Sequence, residues 1–256
     1  MSRAASSGSE RTPGGPPIDR PVLAFDTATP LGTIAIGVGD RLLGEATIGV
    51  NARHAESLLP AIDFVMGNAG LKRSDLGGIV VGAGPGSFTG VRIAGATAKG
   101  LAHALGLPLY AFSSLTMVAA GAAVAEPVCA LFDARRGEVY AVCHRFDQNP
   151  EIVSITTLLP PSAMKLEAVV AVLSGQEPLY IGEGAVRYAA TIRTLGGRLG
   201  PAMLGTPRAS ALLRLLAFAG ERARITDAAR WTPEYLRAPG AMPPHNVRPD
   251  VAGVRA

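Results

Sequence analysis

Gly82-Ala83-Gly84-Pro85-Gly86-Ser87-Phe88-Thr89-Gly90-Val91-Arg92 stands between two apolar stretches, and the fold is read outward from it. Upstream, Ile79, Val80 and Val81 have the composition of a buried strand. Downstream, the pattern predicts a helix over Val91 to Leu105. The glycines allow backbone angles closed to other residues, Pro85 stiffens the turn, and Ser87 or Thr89 is placed to cap the helix. Free N–H groups at such a helix start suit a phosphate or a carboxylate. The Lys-Ser/Thr ending of a P-loop is missing, however, so a plain structural turn and a ligand loop both stand.

Before this turn, Val22-Leu23-Ala24-Phe25 reads as a strand ending at Asp26-Thr27-Ala28-Thr29-Pro30. Gly32 to Val38 and Leu42 to Ile48 read as two further strands, an antiparallel start. A helix from about Arg53 to Ala69 leads to the strand before the glycines, and a short strand follows at Leu109-Tyr110-Ala111-Phe112. Pro160 to Leu173 reads as a loop and helix, and Ser210 to Ala223 as a closing helix.

The second half echoes the first. Leu23-Ala24-Phe25-Asp26 returns as Ala130-Leu131-Phe132-Asp133, and Val80-Val81-Gly82-Ala83-Gly84 as Tyr180-Ile181-Gly182-Glu183-Gly184. The offsets, 107 and 100 residues, nearly agree. The class expected is therefore α/β, built as two duplicated lobes, each a mixed sheet with packed helices, with a cleft where the paired turns face each other.

With 256 residues, 48% of them apolar, the chain has enough material for one large domain or two modest ones. The apolar run Leu115 to Ala125 is too short to span a bilayer, and residues 1–20 lack the apolar centre of a secretion signal and read as a disordered extension. Cytoplasmic placement is the expectation. Cys129 and Cys143 lack metal-site spacing and read as buried thiols. The net charge of +4 lies entirely in Gly205 to Ala256, where eight arginines face four acids at helical spacing with leucines. A solvated helix face is expected there, with nucleic-acid binding as the alternative.

Asp26, like Asp133, sits where a carboxylate can hold a metal-bound water or orient a nucleophile, and equally where it can close an Asx-turn. The four histidines are scattered, and there is no Cys-x-x-Cys, nucleophile elbow or Walker lysine, so no metal site and no cofactor is expected. The helix after Arg53 carries more apolar residues than one stripe needs: Ala55, Leu58, Leu59, Ile62, Val65, Met66 and Ala69, with Phe64 and Ala61 on another side. In the helix after the turn, Ala94, Ala98 and Ala102 make a small-residue strip. Both surfaces suggest a helical docking site; packing on the lobe's own sheet is the alternative.

Asp26-Thr27-Ala28-Thr29, the string Gly84 to Arg92, Phe132-Asp133-Ala134-Arg135 with Gly137-Glu138-Val139-Tyr140, and Pro233-Glu234-Tyr235-Leu236-Arg237 together resemble the TsaB family, over about residues 21 to 238. The resemblance implies an actin-like, RNase H-like pair of lobes and a place in the bacterial machinery that makes N6-threonylcarbamoyladenosine on tRNAs reading ANN codons. It implies a non-catalytic scaffold. The catalytic paralogue TsaD carries two histidines four apart after the strand corresponding to Leu109–Phe112, whereas Phe112-Ser113-Ser114-Leu115-Thr116 stands here. It further implies pairing with TsaD, or with a second copy when TsaD is missing, joined by the ATPase TsaE, with tRNA reached through the complex and no membrane. An actin-like ATP-binding enzyme, a kinase or M22-type metallopeptidase, is the alternative.

The contact residues expected on this ground are His54, Leu58, Leu59, Ile62, Val65 and Met66 on the first helix, and Ile93, Ala94, Ala98 and Ala102 on the second. Asp26, Thr27, Gly84, Pro85, Gly86, Ser87, Thr89 and Gly90 are expected to form a phosphate-like or interface loop. The expected organisation is an extension over 1–20, a first lobe over 21–112, a second over 113–238 and an irregular tail over 239–256. Ala238 and Pro239 depart from the family, which usually has an asparagine after the tyrosine-leucine-arginine stretch.

Overall fold

Strand faces and sheet order explain why the central strands read as unbroken apolar runs. The computed structural model describes residues 19–49, 54–149 and 152–236; most of the expected N-terminal extension, the C-terminal tail and Arg53 lie outside them. Strands β1 (Val22–Asp26), β2 (Leu31–Val38), β3 (Arg41–Gly49), β4 (Gly78–Gly82) and β5 (Leu109–Phe112) form one sheet in the order β3-β2-β1-β4-β5. β1 pairs antiparallel with β2, from Val22 opposite Gly37 to Asp26 opposite Thr33, and parallel with β4, from Val22 opposite Gly78 to Phe25 opposite Val81. Both faces of β1 and β4 are covered, so alternate residues serve different cores.

A second sheet repeats the plan. β6 (Val128–Arg135), β7 (Glu138–Asn149), β8 (Ile152–Lys165), β9 (Leu179–Ile181) and β10 (Arg198–Leu199) lie in the order β10-β9-β6-β7-β8. With β6 set against β1 and β9 against β4, the two orders are the same, as are the antiparallel β6–β7 and parallel β6–β9 pairings. The duplication read from two short strings is a duplication of topology.

Helices complete five layers. α1 (His54–Asn68) and α2 (Phe88–Leu105) cover the outer face of the first sheet through Leu23, Phe25, Ile34, Ile36, Ile79 and Val81. α4 (Leu166–Val172), α5 (Glu183–Arg187) and α6 (Ala189–Thr194) cover the second through Cys129, Leu131, Val139 and Tyr180. Between the sheets lie α3 (Ser114–Gly121) and α7 (Ala209–Ala219). Their Leu115, Val118, Leu212 and Leu215 pack in one cluster with Val22, Ala24 and Val80 of the first sheet and Val128, Ala130 and Phe132 of the second.

The first sheet also caps α7. Ala209 N–H donates to Thr33 Oγ1 at 2.9 Å, and the Ser210 N–H and hydroxyl donate to Glu45 Oε1 at 2.9 and 2.7 Å. These bonds satisfy donors that a helix start leaves orphaned. The same middle layer holds His144 of β7, buried, with Nε2 3.0 Å from Thr116 Oγ1 on α3 and Nδ1 3.2 Å from Thr157 Oγ1 on β8. Burial lowers its pKa from 6.5 to about 4.

Two expectations change. Pro160 to Lys165 belongs to strand β8, not to a loop; β8 is an edge strand, paired with β7 through shifted register, where a proline removes no central ladder bond. α7 has the solvated face expected of it, with Arg214 and Ala217 exposed, while Leu212, Leu215 and Leu216 on its other side are buried between the sheets. Residues 209–236, expected in the second lobe, pack on both sheets and then return to the first lobe. Cys129 and Cys143 are free, buried and directly opposite each other on β6 and β7.

Candidate functional site: the glycine turn and the outer helix pair

The glycine turn lies flat on the chain's own Asp26–Ala28 segment. A Cβ on Gly86 would stand 2.3 Å from the carbonyl oxygen of Ala28, and one on Gly90 1.9 Å from that of Thr27. No side chain fits such approaches, and this is why glycine stands at both positions. Thr27 Oγ1 donates to Gly90 O at 2.7 Å, and Ser87 N–H donates to Ala28 O at 2.7 Å. Ser87 is the N-cap of α2, its hydroxyl accepting from Gly90 N–H at 3.3 Å. Thr89, the other capping candidate, is exposed inside the first turn, and Pro85 is buried behind a cis bond to Gly84.

Four N–H groups of the turn are engaged within the chain. Ala83 N–H donates to Phe112 O, Gly84 N–H to Ser114 Oγ, and Ser87 and Gly90 N–H as above. Asp26 is fully buried. Its Oδ1 accepts from Ala28 N–H at 2.8 Å, which is the Asx-turn, and its Oδ2 accepts the Ser114 hydroxyl at 2.5 Å. Asp26, Thr27, Gly84, Ser87, Gly90 and Ser114 thus form one closed network. Asp133 plays the same part in the second lobe: its Oδ1 accepts from Arg135 N–H and the Tyr188 hydroxyl, each at 3.0 Å, while Arg187 Nε lies 3.3 Å from Oδ2. Among the described residues no group of three His, Cys, Asp or Glu side chains is placed to hold a metal ion.

The outer helices divide differently from their sequence reading. Leu58, Ile62, Val65 and Met66 of α1, and Ala94, Ala98 and Ala102 of α2, are buried in the first sheet's own core. They are withdrawn as surface contacts, and Ala61 with them. A broad apolar face is needed because α1 covers a sheet whose outer side is entirely apolar. Leu59 (45% exposed), Phe64 (66%) and the half-buried Ile93 remain at the surface, and the described side chains do not include that of His54. The exposed small-residue row of α2 is Ala96, Gly100 and Ala104, two positions along from the one expected. Sequence reasoning missed Ser114, the partner of Asp26. Its one signal was its place in the stretch Phe112 to Thr116, which the family resemblance had singled out.

A family model described as TsaD, tRNA N6-adenosine threonylcarbamoyltransferase, matches residues 49–244. A Bacillus subtilis protein named tRNA threonylcarbamoyladenosine biosynthesis protein TsaB is 31% identical over 222 residues, which cover 84% of this chain and 93% of that one. The chain belongs to the TsaB family. Its Escherichia coli relative of the same name is 35% identical over 136 residues, half of this chain and 56% of the other. Two solved Pseudomonas aeruginosa structures superpose with a TM-score of 0.71, covering 85% of this chain and all of theirs. One is described as YeaZ, at 32% identity, and the other as an uncharacterized protein with similarity to peptidase YEAZ, at 31%. The two actin-like lobes of the TsaB family are therefore those described above.

Proposed function

We propose that this TsaB-family chain serves tRNA threonylcarbamoyladenosine biosynthesis as a non-catalytic subunit that pairs with a TsaD-type catalytic partner. TsaE joins the pair, and tRNA is reached through the complex. The observation that carries the reading is the closed network of Asp26, Ser114 and the glycine turn. Where an actin-like enzyme presents free donors and an accessible carboxylate to a nucleotide, this chain turns the N–H groups of Ala83, Gly84, Ser87 and Gly90 and the buried Asp26 carboxylate inward on its own groups. Pairing is assigned to the outward parts of α1 and α2: Leu59 and Phe64 are exposed on α1, and α2 carries the half-buried Ile93 and an exposed row of small residues that lets another helix approach closely. A second copy would use the same face when TsaD is lacking. Among the described residues no helix is long and apolar enough to cross a membrane.

Reconstitution tests this directly. Cognate TsaD, TsaE, tRNA, ATP and threonylcarbamoyl donor should modify tRNA well only when this chain is added, and Ser114→Ala, which opens the network without adding a catalytic group, should retain that support whenever it folds. Equal modification without the chain would sink the proposal. So would tight ATP–magnesium binding by the chain alone in calorimetry, which would favour the enzymatic alternative.

A further inference from the structure

After α7 and the turn Gly220–Ala223, residues 224–236 form neither helix nor strand, yet they are held at successive points. They begin at the open edge of the first sheet, where Ile225 N–H donates to Leu109 O at 2.8 Å and Arg224 bridges Tyr110 of edge strand β5. They then follow one row of α2, Phe88, Arg92, Gly95 and Lys99, spaced four, three and four residues apart and so on one side of the helix. Lys99 Nζ donates to Ala229 O at 2.8 Å and to Trp231 O at 2.9 Å. Gly95 lies under Pro233, whose Cγ would be 3.1 Å from a Cβ there, and under Trp231. Arg92 stacks over Phe88 at 3.7 Å and donates from Nε to the Tyr235 hydroxyl at 3.3 Å. Glu234 N–H closes the run on Ala83 O of the glycine turn at 2.9 Å.

Beside this row lies the exposed side of α2, with Thr89, Ala96, Gly100 and His103. We propose that residues 224–236 are a strap, locked by the Lys99 ammonium, that sets one border of α2's docking face, so that freeing the strap weakens partner pairing while the fold stays intact. The proposal rests on the pairing role given to α1 and α2. Few backbone bonds hold the strap, which places it at the low-stability end of the molecule. Two charge-assisted bonds from one group therefore weigh heavily. The chain has 24 basic residues, of which only Lys72, Lys99 and Lys165 are lysine. A compact ammonium on a flexible stem can meet two carbonyls of one irregular segment, whereas a planar guanidinium suits a carboxylate fork.

Trp231 is the chain's single tryptophan and reports the strap without labels. Acrylamide quenching of the isolated chain is compared between wild type and two variants that free the strap differently: Lys99→Met, which removes the lock, and Gly95→Leu, which fills the space under Pro233 while favouring helix. Quenching should rise about twofold in both with the unfolding midpoint little changed, and affinity for the cognate TsaD-type protein should fall about tenfold. Unchanged shielding of Trp231 in both variants overturns the strap, and a freed strap with wild-type affinity overturns its role in docking. Failure of the wild type itself to pair, with the quenching response intact, overturns the pairing reading and this docking role together.

Discussion

Gly90 leaves no room for a methyl group, and the atom in the way belongs to the backbone. A Cβ there would meet Thr27 O at 1.9 Å, at the point where α2 is tied to the end of β1. A carbonyl cannot swing aside as a side chain can, so Gly90→Ala should cost roughly 3 kcal/mol or more, read from denaturant midpoints at constant slope. His144 offers a pH test. Its pKa in the folded chain, about 4, lies below the ordinary 6.5, because burial between Thr116 and Thr157 disfavours the charged ring. The neutral ring's share of stability is therefore complete above about pH 6.5 and is lost as pH falls toward 4. The full loss is roughly 3 kcal/mol. Urea unfolding at about pH 7 and about pH 4.5 should show the decline in wild type and a shallower one in His144→Gln.

At the scale of elements, periodicity located most of the structure, because helices and strands that cover a sheet repeat their apolar residues at fixed intervals. It found β1 to β5, α1, α2 and the body of α7. It did not find β8, where Pro160 and Pro161 look like loop chemistry unless the strand is known to be at an edge. It also could not separate core from surface on α1. Surplus apolar residues signal either a partner or a wide sheet, and only the position of β1, β2 and β4 beneath the helix decides that Leu58, Ile62 and Val65 serve the sheet. The closed network at the turn was half legible, since Asp26 and the glycines were marked by their positions but Ser114 lies 88 residues from its partner. The burial pattern makes a contrast that can be measured. Leu59→Glu and Phe64→Glu, at exposed positions, should leave the unfolding midpoint nearly unchanged and weaken pairing with the TsaD-type partner by about tenfold or more each. Ile62→Glu buries a charge and should unfold the chain before any pairing can be measured.

The whole molecule has two sheets of the same topology, but it is not two independent bodies. α3 and α7 belong to neither lobe alone: Leu115, Val118, Leu212 and Leu215 pack against Val22, Ala24 and Val80 on one side and Val128, Ala130 and Phe132 on the other. The start of α7 is capped by Thr33 and Glu45 of the first sheet, and the chain beyond it is fastened to α2 and β5. A lobe that opened alone would strip the middle layer of one of its two walls, so unfolding is expected in one step. Leu212→Ala puts this to the test, because Leu212 is fully buried in the shared layer. A leucine truncation in such a core costs about 3 kcal/mol. If the layer couples the lobes, the slowest-exchanging amides of β1 and of β6 should lose protection together and by the same factor, and a single denaturant transition should move to lower concentration. If β6 kept its protection while β1 lost it, the sheets would be separately stable, and the middle helices would be a seam between two domains rather than one core.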